Sequence, residues 1–93
     1  GRLRPLDASV HYRQGFALFR ADDLDGAAAA LEQARLAEPD HAESLLLLGT
    51  IRQGQNDPEA VTLLRRFVEV APEHTAAGPI RTWLAEHDGT PES

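Results

Sequence analysis

The sequence has no cysteine, no methionine and no lysine in 93 residues, and only five aromatic side chains: Tyr12, Phe16, Phe19, Phe67 and Trp83. Without cysteine there is no disulfide framework and no thiolate metal site, so packing alone must hold the fold. All 9 basic residues are Arg, set against 15 Asp and Glu, for a formal charge of -6 and a pI near 5.0. With no basic cluster anywhere, that balance repels phosphate backbones and excludes nucleic acid as a partner. Long hydrophobic runs are missing too. The longest run of large apolar residues is Leu45 to Leu48, far below the roughly 18 residues that span a bilayer, and no signal-peptide pattern opens the chain, so no membrane insertion is expected. A chain this short makes one domain, 1–93, which buries only roughly 60–65% of its unfolded surface. Its core is thin and an enzymatic cleft has little room. Abundant Ala with an all-Arg basic set is the bias of GC-rich coding DNA and points to a bacterial source, the cytoplasm ahead of the periplasm. The start at Gly1, the lack of Met and the Gly/Pro/Ser-containing stretch from Asp88 to Ser93 lead us to expect a piece of a longer protein with a flexible tail at 89–93.

What the sequence does have is internal repetition. Gly15 recurs as Gly49, Pro5 as Pro39 and Ala8 as Ala42, each 34 residues on; Ala27, Leu31 and Pro39 recur as Ala60, Leu64 and Pro72, each 33 on. The one-residue deletion therefore falls between Gly49 and Ala60, where Gln53-Gly54-Gln55-Asn56-Asp57 reads as a turn.

Each period contains two helical patterns closed by a proline. The first helix is expected from about Asp7 to Ala21, capped by Asp7 or Ser9, with Val10, Gln14 and Leu18 on one side and Tyr12, Phe16 and Phe19 on another. Asp22-Asp23 make a turn and put negative charge at the start of the second helix, Leu24 to Ala37, whose Ala27, Ala30, Leu31 and Ala34 form a small-residue stripe. After Pro39, Asp40 is read as the cap of a third helix, about His41 to Gln53, apolar nearly all round through Leu45, Leu46, Leu48 and Ile51. Asp57-Pro58 open a fourth helix to about Val70, with Val61, Leu64, Phe67 and Val68 inward. A fifth, with Gly78-Pro79 in its first turn and Ile80, Trp83 and Leu84 as its stripe, runs to Asp88-Gly89. The fold class is all-α, about five helices and no strands.

These residues resemble the tetratricopeptide repeat (TPR), a 34-residue helix–turn–helix unit with the pattern W-x2-L-G-x2-Y, A-x3-F, P. The first copy places His11, Gln14, Gly15 and Leu18 on the first part, Ala27 and Leu31 on the second, and Pro39 at the close. The second copy places Leu45, Leu48, Gly49 and Arg52, then Ala60 and Leu64, then Pro72. The resemblance implies a short right-handed α-solenoid with repeat 1 at about 8–41, repeat 2 at about 42–74 and a capping helix at about 75–88. Gly1 to Leu6 would be a remnant of a preceding repeat. It also implies a protein–protein interaction module, an adaptor or scaffold without catalysis, whose first helix in each repeat lines a concave peptide-binding groove. On this sequence that groove would hold Tyr12, Phe16, Phe19, Arg20, Leu46, Thr50, Gln53, Ile80 and Trp83. Four of the five aromatics fall on that face, the distribution of interface anchors. Alternatively, Phe16 and Phe19 pack against Leu3 and Leu6 or against a further repeat.

Some relatives grip a terminal carboxylate with Lys and Asn. Here those places hold Tyr12, Phe16 and Leu47, which favours an apolar or amphipathic peptide, with Arg20, Arg13 and Arg52 open to acidic groups. The competing structural reading is self-association into a homo-oligomer through apolar helix faces. The histidines His11, His41, His74 and His87 lack the i, i+4 spacing of a helical metal site, and no catalytic residue, cofactor or metal ligand is expected.

Overall fold

The computed structural model describes residues 7–87. The tail at 89–93, the stretch Gly1–Leu6 and the contacts expected of Leu3 and Leu6 lie outside the described residues. Within them are five helices and no strand: α1 (Ala8–Arg20), α2 (Leu24–Ala37), α3 (Ala42–Gly54), α4 (Glu59–Val70) and α5 (Ala77–His87). They pack in chain order, α1 on α2, α2 on α3, α3 on α4 and α4 on α5, with α1 also against α3. The result is an all-α helical-repeat solenoid measuring 54 × 26 × 20 Å.

The two repeats are built on the same local devices. In each, the first helix ends in a left-handed residue, Asp22 (φ 67°) and Asn56 (φ 57°). The next amide reaches back to the helix, Asp23 N–H to the Leu18 carbonyl and Asp57 N–H to the Arg52 carbonyl, both at 2.9 Å. This 6→1 closure satisfies carbonyls that the helix end would otherwise leave orphaned. The turn therefore keeps the 34-residue register through Asp57, and the deletion falls just after it, in the first turn of α4. There the expectation that the turn itself absorbs the deletion is corrected. Asp23 caps α2 through the Gly26 amide (3.0 Å), whereas Asp57 bonds the Glu59 amide (2.9 Å), one residue nearer. Losing a residue at the start of α4 shortens the cap reach and leaves the turn unchanged.

Two caps settle differently. Asp7, not Ser9, caps α1 by accepting from the Val10 amide. The cap of α3 is His41, whose Nδ1 accepts from the Ser44 amide (3.3 Å) and lies 2.8 Å from Ser44 Oγ. The expected cap, Asp40, instead holds Arg66 of α4 in a bidentate pair at 2.8 and 2.9 Å. A free carboxylate beside an arginine fork takes the ion pair, because two parallel charge-assisted bonds outweigh one to an amide.

The core runs as a strip between the helix layers: Ala27, Leu31, Leu45, Leu48, Leu63 and Phe67 are almost wholly enclosed. Helices of a repeat approach closely where there is no side chain. A Cβ on Gly15 would stand 2.7 Å from Leu31 Cγ, and one on Gly49 would stand 2.5 Å from Leu64 Cδ2. The inward stripe of α4 is Ala60, Leu63, Leu64 and Phe67, with Val61 and Val68 only half-buried at its edges. Leu63 is thus added to the expected set and the two valines move outward. At the α4–α5 link the His74 ring stands edge-on to Phe67 at 5.1 Å, and its Nε2 is 3.3 Å from Glu43 of α3.

Candidate functional site

Along α1, residues four apart stack into a row. Tyr12 and Phe16 lie with ring centroids 6.1 Å apart and nearly parallel, and the Arg20 guanidinium is 5.8 Å from the Phe16 ring centre. Tyr12 turns toward α3, its ring 5.7 Å from His41. Phe16 is 40% exposed, one of two large hydrophobics standing free among the described residues; the other is Leu36. Such a row exists because i, i+4 spacing places side chains one above another on a helix face. Partial burial, and then the negative charge of Glu43, raise the Tyr12 hydroxyl pKa above its ordinary value.

The other expected groove residues divide between two places. Phe19 and Leu46 are half-buried against the core. Thr50 is exposed, its hydroxyl donating to the Leu46 carbonyl at 2.8 Å. At the far end, α5 leans on α4, and Ile80 packs into the core there. Gln53 and Trp83 line one cavity of about 210 Å³ between the α3–α4 turn, the start of α4 and the last turn of α5. Tyr12, Phe16 and Arg20 are thus brought together, Gln53 and Trp83 are brought together, and the two sets lie at different places along the array.

Arg52 is not open to a ligand. It sits 21% exposed between α2 and α4, with Glu32 at 3.4 Å, Glu59 at 3.5 Å and Asp57 at 4.0 Å, while Arg35 bridges Glu32 and Glu59 from the other side. The expectation that it awaits acidic groups on a partner is corrected: internal carboxylates already surround it. Sequence reasoning overlooked this cluster, whose only signal was a charged residue where the repeat pattern has an aromatic.

Among the described residues no group of His, Asp and Glu is disposed to hold a metal ion, and no helix is long and apolar enough to cross a membrane. His41, His74 and His87 each have a partner within the fold.

The tetratricopeptide repeat family matches the chain twice, at residues 9–41 and 43–74. The chain belongs to the tetratricopeptide repeat family. TPR units are in general protein–protein interaction modules, and the family is a non-enzymatic repeat family. No curated protein and no solved structure matches the chain. The TPR pattern accounts for both glycine crossings and both prolines, and Tyr12, Phe16 and Arg20 fall at positions the pattern leaves open.

Proposed function

We propose that this TPR domain holds an apolar or amphipathic peptide segment of a partner protein against the concave side of α1 and α3. Tyr12, Phe16 and Phe19 are its apolar contacts and Arg20 its polar one; Leu46, Thr50, Gln53, Ile80 and Trp83 extend the surface along the array. The observation that supports this most is Phe16, which stands 40% exposed between the Tyr12 ring and the Arg20 guanidinium. A large ring left in water and flanked by a second ring and a cation is an anchor awaiting a partner. Selection from a random peptide library is expected to enrich sequences with spaced aromatic or aliphatic residues. Phe16→Ala should weaken the selected peptide by roughly tenfold or more, in the range of interface anchors, with helicity by circular dichroism unchanged. A peptide that binds Phe16→Ala as well as the parent would refute the reading.

Self-association is the second reading, supported by Leu36 at 76% exposed on α2. Light scattering over a concentration series separates the two, since a dimer gains mass with concentration and a peptide receptor does not. A dimer abolished by Phe16→Ala would mean that another copy fills the same surface.

A further inference from the structure

The cavity beside Trp83 has a chemistry of its own. Its walls are apolar, Pro58, Val61 and the Trp83 ring, while Asp57 and Asn56 supply polar edges. At about 210 Å³ it falls below the usual range for small-molecule sites and admits a single long side chain.

Its electrostatics are one-sided. Asp57 belongs to the ion cluster between α2, α3 and α4, where three carboxylates, Glu32, Asp57 and Glu59, face two guanidiniums, Arg35 and Arg52. Among the described residues that leaves one negative charge over, and Asp57 is the member that lines the cavity. The positive start of α4 is already answered by Asp57 accepting from the Glu59 amide. Gln53 and His87, from the last turns of α3 and α5, line the cavity as well, and a helix C-terminus carries partial negative charge. His87 stacks on Trp83 at 4.6 Å, and no Arg is among the described lining residues. Across the chain a formal charge of -6 draws basic partners.

We propose that this cavity takes the side chain of a basic residue, arginine or lysine, from the partner polypeptide, with its aliphatic stem along Pro58 and Val61 and its cation between Asp57 and the Trp83 ring. Aromatic face and carboxylate together are the pairing that a desolvated cation prefers over either alone. The inference rests on the reading that the partner is a polypeptide. It shares Gln53 and Trp83 with the far end of the proposed surface and uses none of the α1 row, so the row and the cavity can fail separately.

Trp83 is the only tryptophan, so its fluorescence and indole N–H resonance report on this cavity alone. The probes are N-acetyl-arginine methylamide, N-acetyl-lysine methylamide and N-acetyl-leucine methylamide. The arginine probe is expected to shift both signals saturably in the millimolar range and more weakly in 0.5 M salt, with lysine next and leucine without saturation. Asp57→Asn keeps an acceptor for the α4 cap and removes the charge; it should weaken the arginine probe about fivefold. Glu86→Gln, an exposed acid outside the cavity, and Phe16→Ala should leave it unchanged. Leucine binding as well as arginine would overturn the proposal, as would an unchanged affinity in a folded Asp57→Asn protein or the lack of any saturable shift.

Discussion

The first helices of the two repeats, α1 and α3, are the same device in two situations. Both carry the crossing glycine, both end in a left-handed turn residue and both are closed by the same back-bonded amide. Yet α1 buries only Ala8 and Gly15, whereas α3 buries Ser44, Leu45, Leu47, Leu48, Gly49 and Ile51. The difference is position in the stack. A helix with neighbours on both sides spends its faces on the core, and a helix at the end of the described array keeps a face free. Residues 34 apart record it: Arg13, Gln14 and Ala17 are exposed where Leu47, Leu48 and Ile51 are buried. Phe16 corresponds to Thr50, both exposed, and Leu18, packed against the core, corresponds to Arg52 of the ion cluster.

Truncating one residue on each helix tests that contrast most strongly. Leu48 is fully enclosed in the core, so Leu48→Ala should cost about 2–5 kcal/mol. A domain of this size has about 5–14 kcal/mol in total. Phe16→Ala should cost at most about 1 kcal/mol, as exposed positions do. Urea unfolding followed by circular dichroism measures both, and equal costs would mean that Phe16 is a core residue and the helices do not differ.

The pair Leu18 and Arg52 sharpens the comparison on a smaller scale. Leu18 packs against the core of the first repeat; Arg52 ties α3 to Glu32 of the first repeat and to Glu59 of its own. Arg52→Leu should cost about 1–2 kcal/mol, because it leaves Glu32, Asp57 and Glu59 facing Arg35 alone. Its partners are a third exposed, so salt screens much of the effect. The loss in urea midpoint should therefore shrink between 0.05 M and 1 M NaCl. A loss indifferent to salt would show that the arginine stem contributes through packing, and that its charges add little.

Much of this was legible in residue spacing. The bounds of α2 were read without error, and those of α1 to within one residue, because Asp23, Pro39 and Asp7 are local signals whose physics depends on little else. Two misreadings were recoverable from the repeat itself. Asp7 maps onto His41 at 34 residues, which marks the true cap of α3, and the Ala27, Ala30, Leu31, Ala34 stripe of α2 maps at 33 onto Ala60, Leu63, Leu64 and Phe67. The Arg52 cluster was not legible. It joins side chains from three helices, and which carboxylates an arginine reaches depends on how the repeats stack. The separation of Trp83 from the α1 row was hidden for a similar reason: the face of a capping helix depends on its neighbour, and α5 leans on α4.

The smallest expected effect concerns the row itself. Tyr12 corresponds to Leu46 in the second repeat, so at this position only the first repeat can change charge. Burial first, and Glu43 second, hold the Tyr12 hydroxyl pKa above its ordinary value of about 10 in the folded chain. Between the unfolded and folded values the native state therefore binds more protons than the unfolded one. The contribution to stability is complete below about pH 10 and is lost as pH rises through the folded value. Tyr12→Phe removes that loss while keeping the ring beside Phe16 and His41. Urea midpoints from pH 8 to pH 11 should fall less steeply for Tyr12→Phe than for the parent above pH 10, and Glu43→Gln should lie between them. Parallel curves would mean that the Tyr12 hydroxyl is as well hydrated in the fold as out of it. α1 would then be open at Tyr12 as well as at Phe16, and the contrast with α3 would be wider than the static burial suggests.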